Sequence, residues 1–154
     1  MENRPRPILP PPYIFLGPLL IGTGLNIIFP LRIFPENFPN LRFLLAAIFV
    51  LGGISLLFWA VKILFRSGVD PRFKPVGGIV SEGPFRVTRN PMYVSFTLVY
   101  LGVAAGFNAL WPILFLPIIF PVLHYGVIRR EEAYLEKTLG EEYKKYQTKV
   151  RRWL

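Results

Sequence analysis

Phe43-Leu44-Leu45-Ala46-Ala47-Ile48-Phe49-Val50-Leu51-Gly52-Gly53-Ile54-Ser55-Leu56-Leu57-Phe58-Trp59-Ala60-Val61-Lys62-Ile63-Leu64-Phe65 decides the class of fold. This run carries one charge, Lys62, near its end. As a helix it is long enough to cross roughly 30 Å of hydrocarbon. Lys62 is placed to extend its amine to the interface. Similar runs flank it. One covers about Tyr13 to Leu31, with Gly17, Pro18, Gly22 and Gly24 inside it. Small residues allow close helix approach in lipid, and Pro18 predicts a bend. A third runs from about Pro91 to Phe107, and a fourth from Trp111 to His124 or beyond. Pro112, Pro117 and Pro121 predict irregularity in the fourth. The expected fold is all-α: an integral membrane bundle of about four spans plus a cytoplasmic C-terminal helix over Glu141 to Val150.

Composition agrees. Of 154 residues, 53% are hydrophobic and 18% charged; a soluble domain carries roughly 25% charged residues. Net charge is +9. Because the charges lie between apolar runs, anionic headgroups and topology control explain them better than nucleic acid. The absence of cysteine removes thiolate chemistry and disulfides, and a single histidine, His124, removes a multi-His metal site. No metal or nucleic-acid partner is expected; a membrane is. One domain over 1–154 is expected, with residues 1–12 as a Pro-rich extended arm and 75–154 as its functional core. The first apolar run is too long for a signal-peptide core and is assigned to the mature chain.

Lys and Arg distribution sets the expected orientation. The 66–90 loop holds five, the segment after the fourth run eight, the 32–42 connection two, and the 108–110 turn none. Positive-inside places the loop and both termini in the cytoplasm. The short turn makes the third and fourth spans antiparallel neighbours, so Glu131 approaches Asn90 and Tyr93 at the cytoplasmic face. A glycine-rich loop, the aromatic faces of Phe85 and Tyr93, and the carboxylates of Glu131 and Glu132 then meet. That inventory suits a nucleoside-containing cofactor. A plain connecting loop and a solvated Arg129-Arg130-Glu131-Glu132 helix face are the simpler alternative. His124, seven residues before Glu131 and on nearly the same face of a regular helix, either lines that pocket or bonds within the bundle. Trp153 reads as an interfacial anchor. Tyr143 and Tyr146 read as packing residues that hold the last helix to the loop.

Gly83-Pro84-Phe85-Arg86, then Arg89-Asn90-Pro91-Met92-Tyr93, Glu131-Glu132, Leu135, Gly140, Tyr143, Tyr146 and Val150-Arg151-Arg152-Trp153 occur in this order. Over residues 75–154 the chain resembles the isoprenylcysteine carboxyl methyltransferase and phospholipid methyltransferase superfamily. The resemblance implies a membrane enzyme that uses S-adenosylmethionine and methylates a lipid or lipid-like acceptor. It implies cofactor contacts at Gly77, Gly78, Ile79 and Val80, at Phe85, at Asn90, Pro91, Met92 and Tyr93, and at Glu131; His124 is added from its position. Asn90 stands where many members have His, Ser95 where Gly is common, and Val127 where the prenylcysteine enzymes carry a substrate-binding Arg. An NADPH-dependent membrane reductase of the sterol-reductase type is the alternative activity, and a non-catalytic membrane protein on the same scaffold is a third.

Overall fold

The computed structural model describes residues 8–35, 37–68 and 78–154. Gly77, expected at the cofactor site, and residues 1–7 of the expected arm lie outside the described residues. Among the described residues, six α-helices succeed one another: α1 Pro11–Ile28, α2 Pro39–Arg66, α3 Pro91–Gly106, α4 Trp111–Leu123, α5 Arg129–Leu139 and α6 Glu141–Lys149. A 3₁₀ turn spans Gly83–Arg86, and a π-helical turn, His124–Ile128, fuses α4 to α5. Several boundaries are set by proline. Helices α1 to α4 all carry Pro in their first two positions, where no amide donor is needed. For this reason α1 and α2 begin earlier than hydropathy alone predicts. Gly140, at φ 56°, separates α5 from α6 with a backbone other residues rarely adopt.

Among the described residues, three helices are long and apolar enough to cross a membrane: α1, α2 and the continuous α4–α5 rod. The expected third span, α3, is a shorter apolar helix of 16 residues. At 1.5 Å per residue it rises about 24 Å, short of a full hydrocarbon core. Most of α2 is exposed apolar surface, with only Gly53, Ala60 and Leu64 buried. Such a surface suits lipid and not water.

Helices α2 and α3 pack most closely. A Cβ at Gly53 would lie 2.8 Å from the Ser95 carbonyl, and one at Gly102 would lie 2.9 Å from the Ala46 carbonyl. Missing side chains therefore let the two backbones touch. Of the three glycines in α1, only Gly22 meets a partner, Pro112 of α4; Gly17 and Gly24 face open space.

The bundle core lies among α1, α3 and the α4–α5 rod. Phe15 packs on Phe96 and Tyr100 with ring centroids 5.9 and 6.0 Å apart, and Ile14, Tyr93, Ile119, Leu123, Val127 and Ile128 complete the buried cluster. At the 107–110 turn, Asn108 accepts bonds from the Ile33 and Phe34 amides and donates to the Phe34 carbonyl. Tyr100 donates to the Pro112 carbonyl at 2.7 Å. The Tyr100 bond ties α3 to α4 near the turn, the Asn108 bonds tie the turn to the connection between α1 and α2, and α3 and α4 touch little elsewhere. They diverge toward the 78–90 loop.

Candidate functional site

The loop before α3 is held by the chain's last residues. Arg89 donates its amide to the Arg151 carbonyl at 2.9 Å, and Thr88 pairs with Arg151 as an isolated parallel bridge. The Thr88 hydroxyl and the Asn90 Nδ2 both donate to the Arg152 carbonyl at 3.0 Å. The side chain of Asn90 thus gives one of its donors to the tail. At the start of α3 the Tyr93 and Val94 amides both bond back to the Asn90 carbonyl, so the turn spends these donors internally.

Two adjacent carboxylates, both buried, have different partners. Glu131 accepts from the Tyr93 hydroxyl at 2.7 Å. Topology alone predicts the approach of Glu131 to Tyr93, and the structure adds the direct bond. Glu132 accepts from Arg152 Nε at 3.0 Å and Nη2 at 2.6 Å, and lies 2.9 Å from Arg89 Nη1. Bidentate pairing with a guanidinium is strong and directional. The solvated-face reading of this pair therefore does not hold, because α5 turns this side onto α3 and the tail.

Helix α6 clamps the loop from its other side. Tyr146 donates to the Phe85 carbonyl at 2.7 Å, as expected of a residue holding the last helix to the loop. Burial, and then the charge of Glu132, pushes the Tyr143 phenol above its ordinary range. Tyr143 therefore stays a neutral hydroxyl at physiological pH.

The predicted contacts separate into groups. Val80 and Met92 pack with Phe85 on Ala60 and Leu64 of α2, while Ile79 packs with Tyr143, Tyr146 and Val150. Gly78, Ile79, Val80 and Phe85 line a cavity of about 130 Å³ whose other walls include Arg89, Leu135 and Tyr143. Pro91 is buried at the α3 N-terminus beside Asn90. Tyr93 and Glu131 form the buried pair described above. His124 lies elsewhere, in the wall of a larger, open-sided cleft of about 640 Å³.

That cleft fills the divergence of α3 and α4. Val94, Thr97 and Leu98 line one side, Phe120, Pro121, His124 and Tyr125 the other, and Trp153 and Leu154 of the tail close it. The wall is almost entirely apolar. His124 stands edge-on to Tyr125 at 4.8 Å, and Arg129 sits over the outer Tyr125 ring at 5.7 Å. The expectation that His124 and Glu131 share a face is corrected by the π turn between them. An added residue rotates the remainder of the helix by about 100°. Pro117 and Pro121 supply no amide donors, and the helical ladder slips three residues after Pro121. The prolines signal irregularity; the π geometry and the cleft are not readable from them.

The profile of the phospholipid methyltransferase family matches residues 41–142. A protein of Haemophilus influenzae described as uncharacterized is 42% identical over 65 residues, which are 41% of this chain and the whole of that protein. No solved structure matches significantly. The family match covers about two thirds of the sequence and runs from α2 through the 78–90 loop to Glu131 and Glu132, and on that ground the chain belongs to the phospholipid methyltransferase family.

Proposed function

We propose that this protein transfers a methyl group from S-adenosylmethionine to a nucleophile carried on a lipid, with its site at the cytoplasmic rim of the membrane. Family membership supports methyl transfer at a membrane to a lipid-like acceptor, and lends nothing to the reductase alternative. The observation that carries the reading is a juxtaposition. Val94 lines the open apolar cleft, and its neighbour Tyr93 holds the buried carboxylate of Glu131. A surface for a hydrocarbon chain and a polar anchor for a cofactor thus adjoin at one turn of α3. The cytoplasmic placement is supported by the five Lys and Arg residues of the 66–90 loop and the eight after α4.

The residues present suit the parts of the cofactor. Gly78, Ile79, Val80 and Phe85 give apolar walls to a cavity with room for one small ring system, which suits the base. Glu131, buried and oriented by Tyr93, suits a ribose hydroxyl or the amine. When bound, the cofactor supplies a methyl group on a positively charged sulfur. The chain's own contribution is positioning and exclusion of water. The cleft holds the acceptor's apolar part, and its volume lies within the roughly 300–1,000 Å³ of small-molecule sites. Held by Glu131 and the cavity of Gly78, Ile79, Val80 and Phe85, the cofactor would supply its methyl group to a nucleophile presented from the cleft. No covalent enzyme intermediate is required, which agrees with a chain lacking cysteine.

Calorimetry on the detergent-purified protein with S-adenosylmethionine and, separately, NADPH tests this reading. Saturable binding of the first, and transfer of its labelled methyl group into a membrane lipid extract, are the expected results. Binding of NADPH alone would overturn it.

A further inference from the structure

The chain's last residues join the two halves of the site, and one of them is placed to select the acceptor. Trp153 closes the cleft between α3 and α4, edge-on to Phe120 with ring centroids 5.7 Å apart. Its other side packs on the core cluster that contains Tyr93. The indole therefore lines the apolar cleft while packing against the bundle core.

Its position is fixed through its neighbour. Arg152 is held by its carbonyl, which accepts from Thr88 and Asn90, and by its guanidinium on Glu132. A side chain anchored at the preceding residue by four bonds is a wall and not a loose flap. The polar residues that share the lining are Thr97, His124 and Tyr125. Val94 and Leu98 of α3 line the same cleft as the indole.

We propose that Trp153 is the specificity-determining residue of the acceptor cleft: the end wall that limits how long an apolar chain the cleft accepts, and thereby positions the acceptor relative to Tyr93 and Glu131. This rests on the lipid-acceptor reading above. In such a cleft each methylene that remains inside adds about four-fold to affinity. A methylene that would run into the indole adds nothing. Affinity therefore climbs with chain length and then breaks, and the position of the break belongs to the end wall.

The test uses the full chain held in amphipol, with displacement of the fluorescent cis-parinaric acid by saturated fatty acids of increasing length. In the wild type, affinity rises by about four-fold per carbon and then levels. In Trp153→Ala the break moves to longer chains, and in Trp153→Phe it moves less. An unchanged break in all three proteins overturns the proposal, as does the absence of any break in the wild type. Uniformly weaker binding with the break in place also overturns it, because that is the signature of an indole that only packs. Calorimetry with S-adenosylmethionine on the same preparations separates this from the transferase reading. Cofactor bound by all three with an unmoved break sinks the role of Trp153 and spares methyl transfer; a moved break without cofactor binding does the reverse.

Discussion

Replacing Glu132 by Gln is expected to destabilise the fold while leaving cofactor affinity nearly intact, and the neighbouring Glu131→Gln to do the opposite. Glu132 receives two hydrogen bonds from Arg152 at 3.0 and 2.6 Å and has Arg89 at 2.9 Å. The Glu132 and Arg89 side chains are each only 11% exposed, while Arg152 is 35% exposed. Removing one partner from a buried ion pair costs about 3–5 kcal/mol, since the remaining charge stays desolvated. Gln keeps one acceptor oxygen, and solvent screens the Arg152 half. The lower end, about 3 kcal/mol, is therefore expected for Glu132→Gln, and about 1 kcal/mol for Arg152→Gln. At about 2–4 °C per kcal/mol for a chain of this size, Glu132→Gln should unfold about 6–12 °C below wild type. Near-ultraviolet circular dichroism during heating in detergent reads this directly. Calorimetry with S-adenosylmethionine reads the other arm, where Glu131→Gln should weaken binding by about tenfold or more. A melting point for Glu132→Gln within about 1 °C of wild type would refute the argument. So would a loss of cofactor affinity equal to that of Glu131→Gln.

Tyr93→Phe removes the donor to Glu131 and should weaken cofactor binding by several-fold, with Tyr93→Ala costing more turnover; wild-type affinity and turnover in Tyr93→Ala would remove it from the site. Tyr146→Phe deletes the bond to the Phe85 carbonyl and should cost about 1 kcal/mol, read as earlier thermal unfolding. Gly102→Ala places a Cβ 2.7–2.9 Å from Val50 and the Ala46 carbonyl, so α2 and α3 must separate and about 1–3 kcal/mol is lost; Gly24→Ala, facing open space, is the control and should melt like wild type. A reporter active only outside the cytoplasm, fused after Leu154, should be silent, and activity would reverse the proposed orientation.

Much of the bundle is readable because hydropathy and proline act locally. Four apolar runs, each with Pro near its start, announce α1 to α4, and Gly140 announces the break between α5 and α6. Glu131 beside Tyr93 is also readable, since a short turn constrains the other ends of the helices it joins. The features that escape depend on partners far apart in sequence. Glu132 finds Arg152 across 20 residues, and no periodicity links a carboxylate on α5 to a guanidinium in an extended tail. Asn90 reads as a cofactor contact from its place in the motif, and its bond from Nδ2 to the Arg152 carbonyl is likewise not legible in the sequence. The π turn escapes for a different reason. Proline marks where the helical ladder fails, but not whether the failure takes the form of a kink, a break or a wider turn.

That wider turn has a consequence for how the site divides labour. On a regular helix His124 and Glu131 share a face and serve one pocket. With the π turn between them, Glu131 turns inward to Tyr93 while His124 stays in the wall of the apolar cleft. The proposed methyl transfer to a lipid would use this division, because one reactant is water-soluble and the other lies in the bilayer. The two must meet without mixing their surroundings. Burial of Glu131 keeps one side polar and enclosed, and the divergence of α3 from α4 leaves the other open and apolar. The tail connects them: Arg152 is bound to the loop and to Glu132, and Trp153 is lodged in the cleft. A disturbance of the Glu132 pair should therefore reach the acceptor side through Trp153, without any contact between Glu132 and the acceptor.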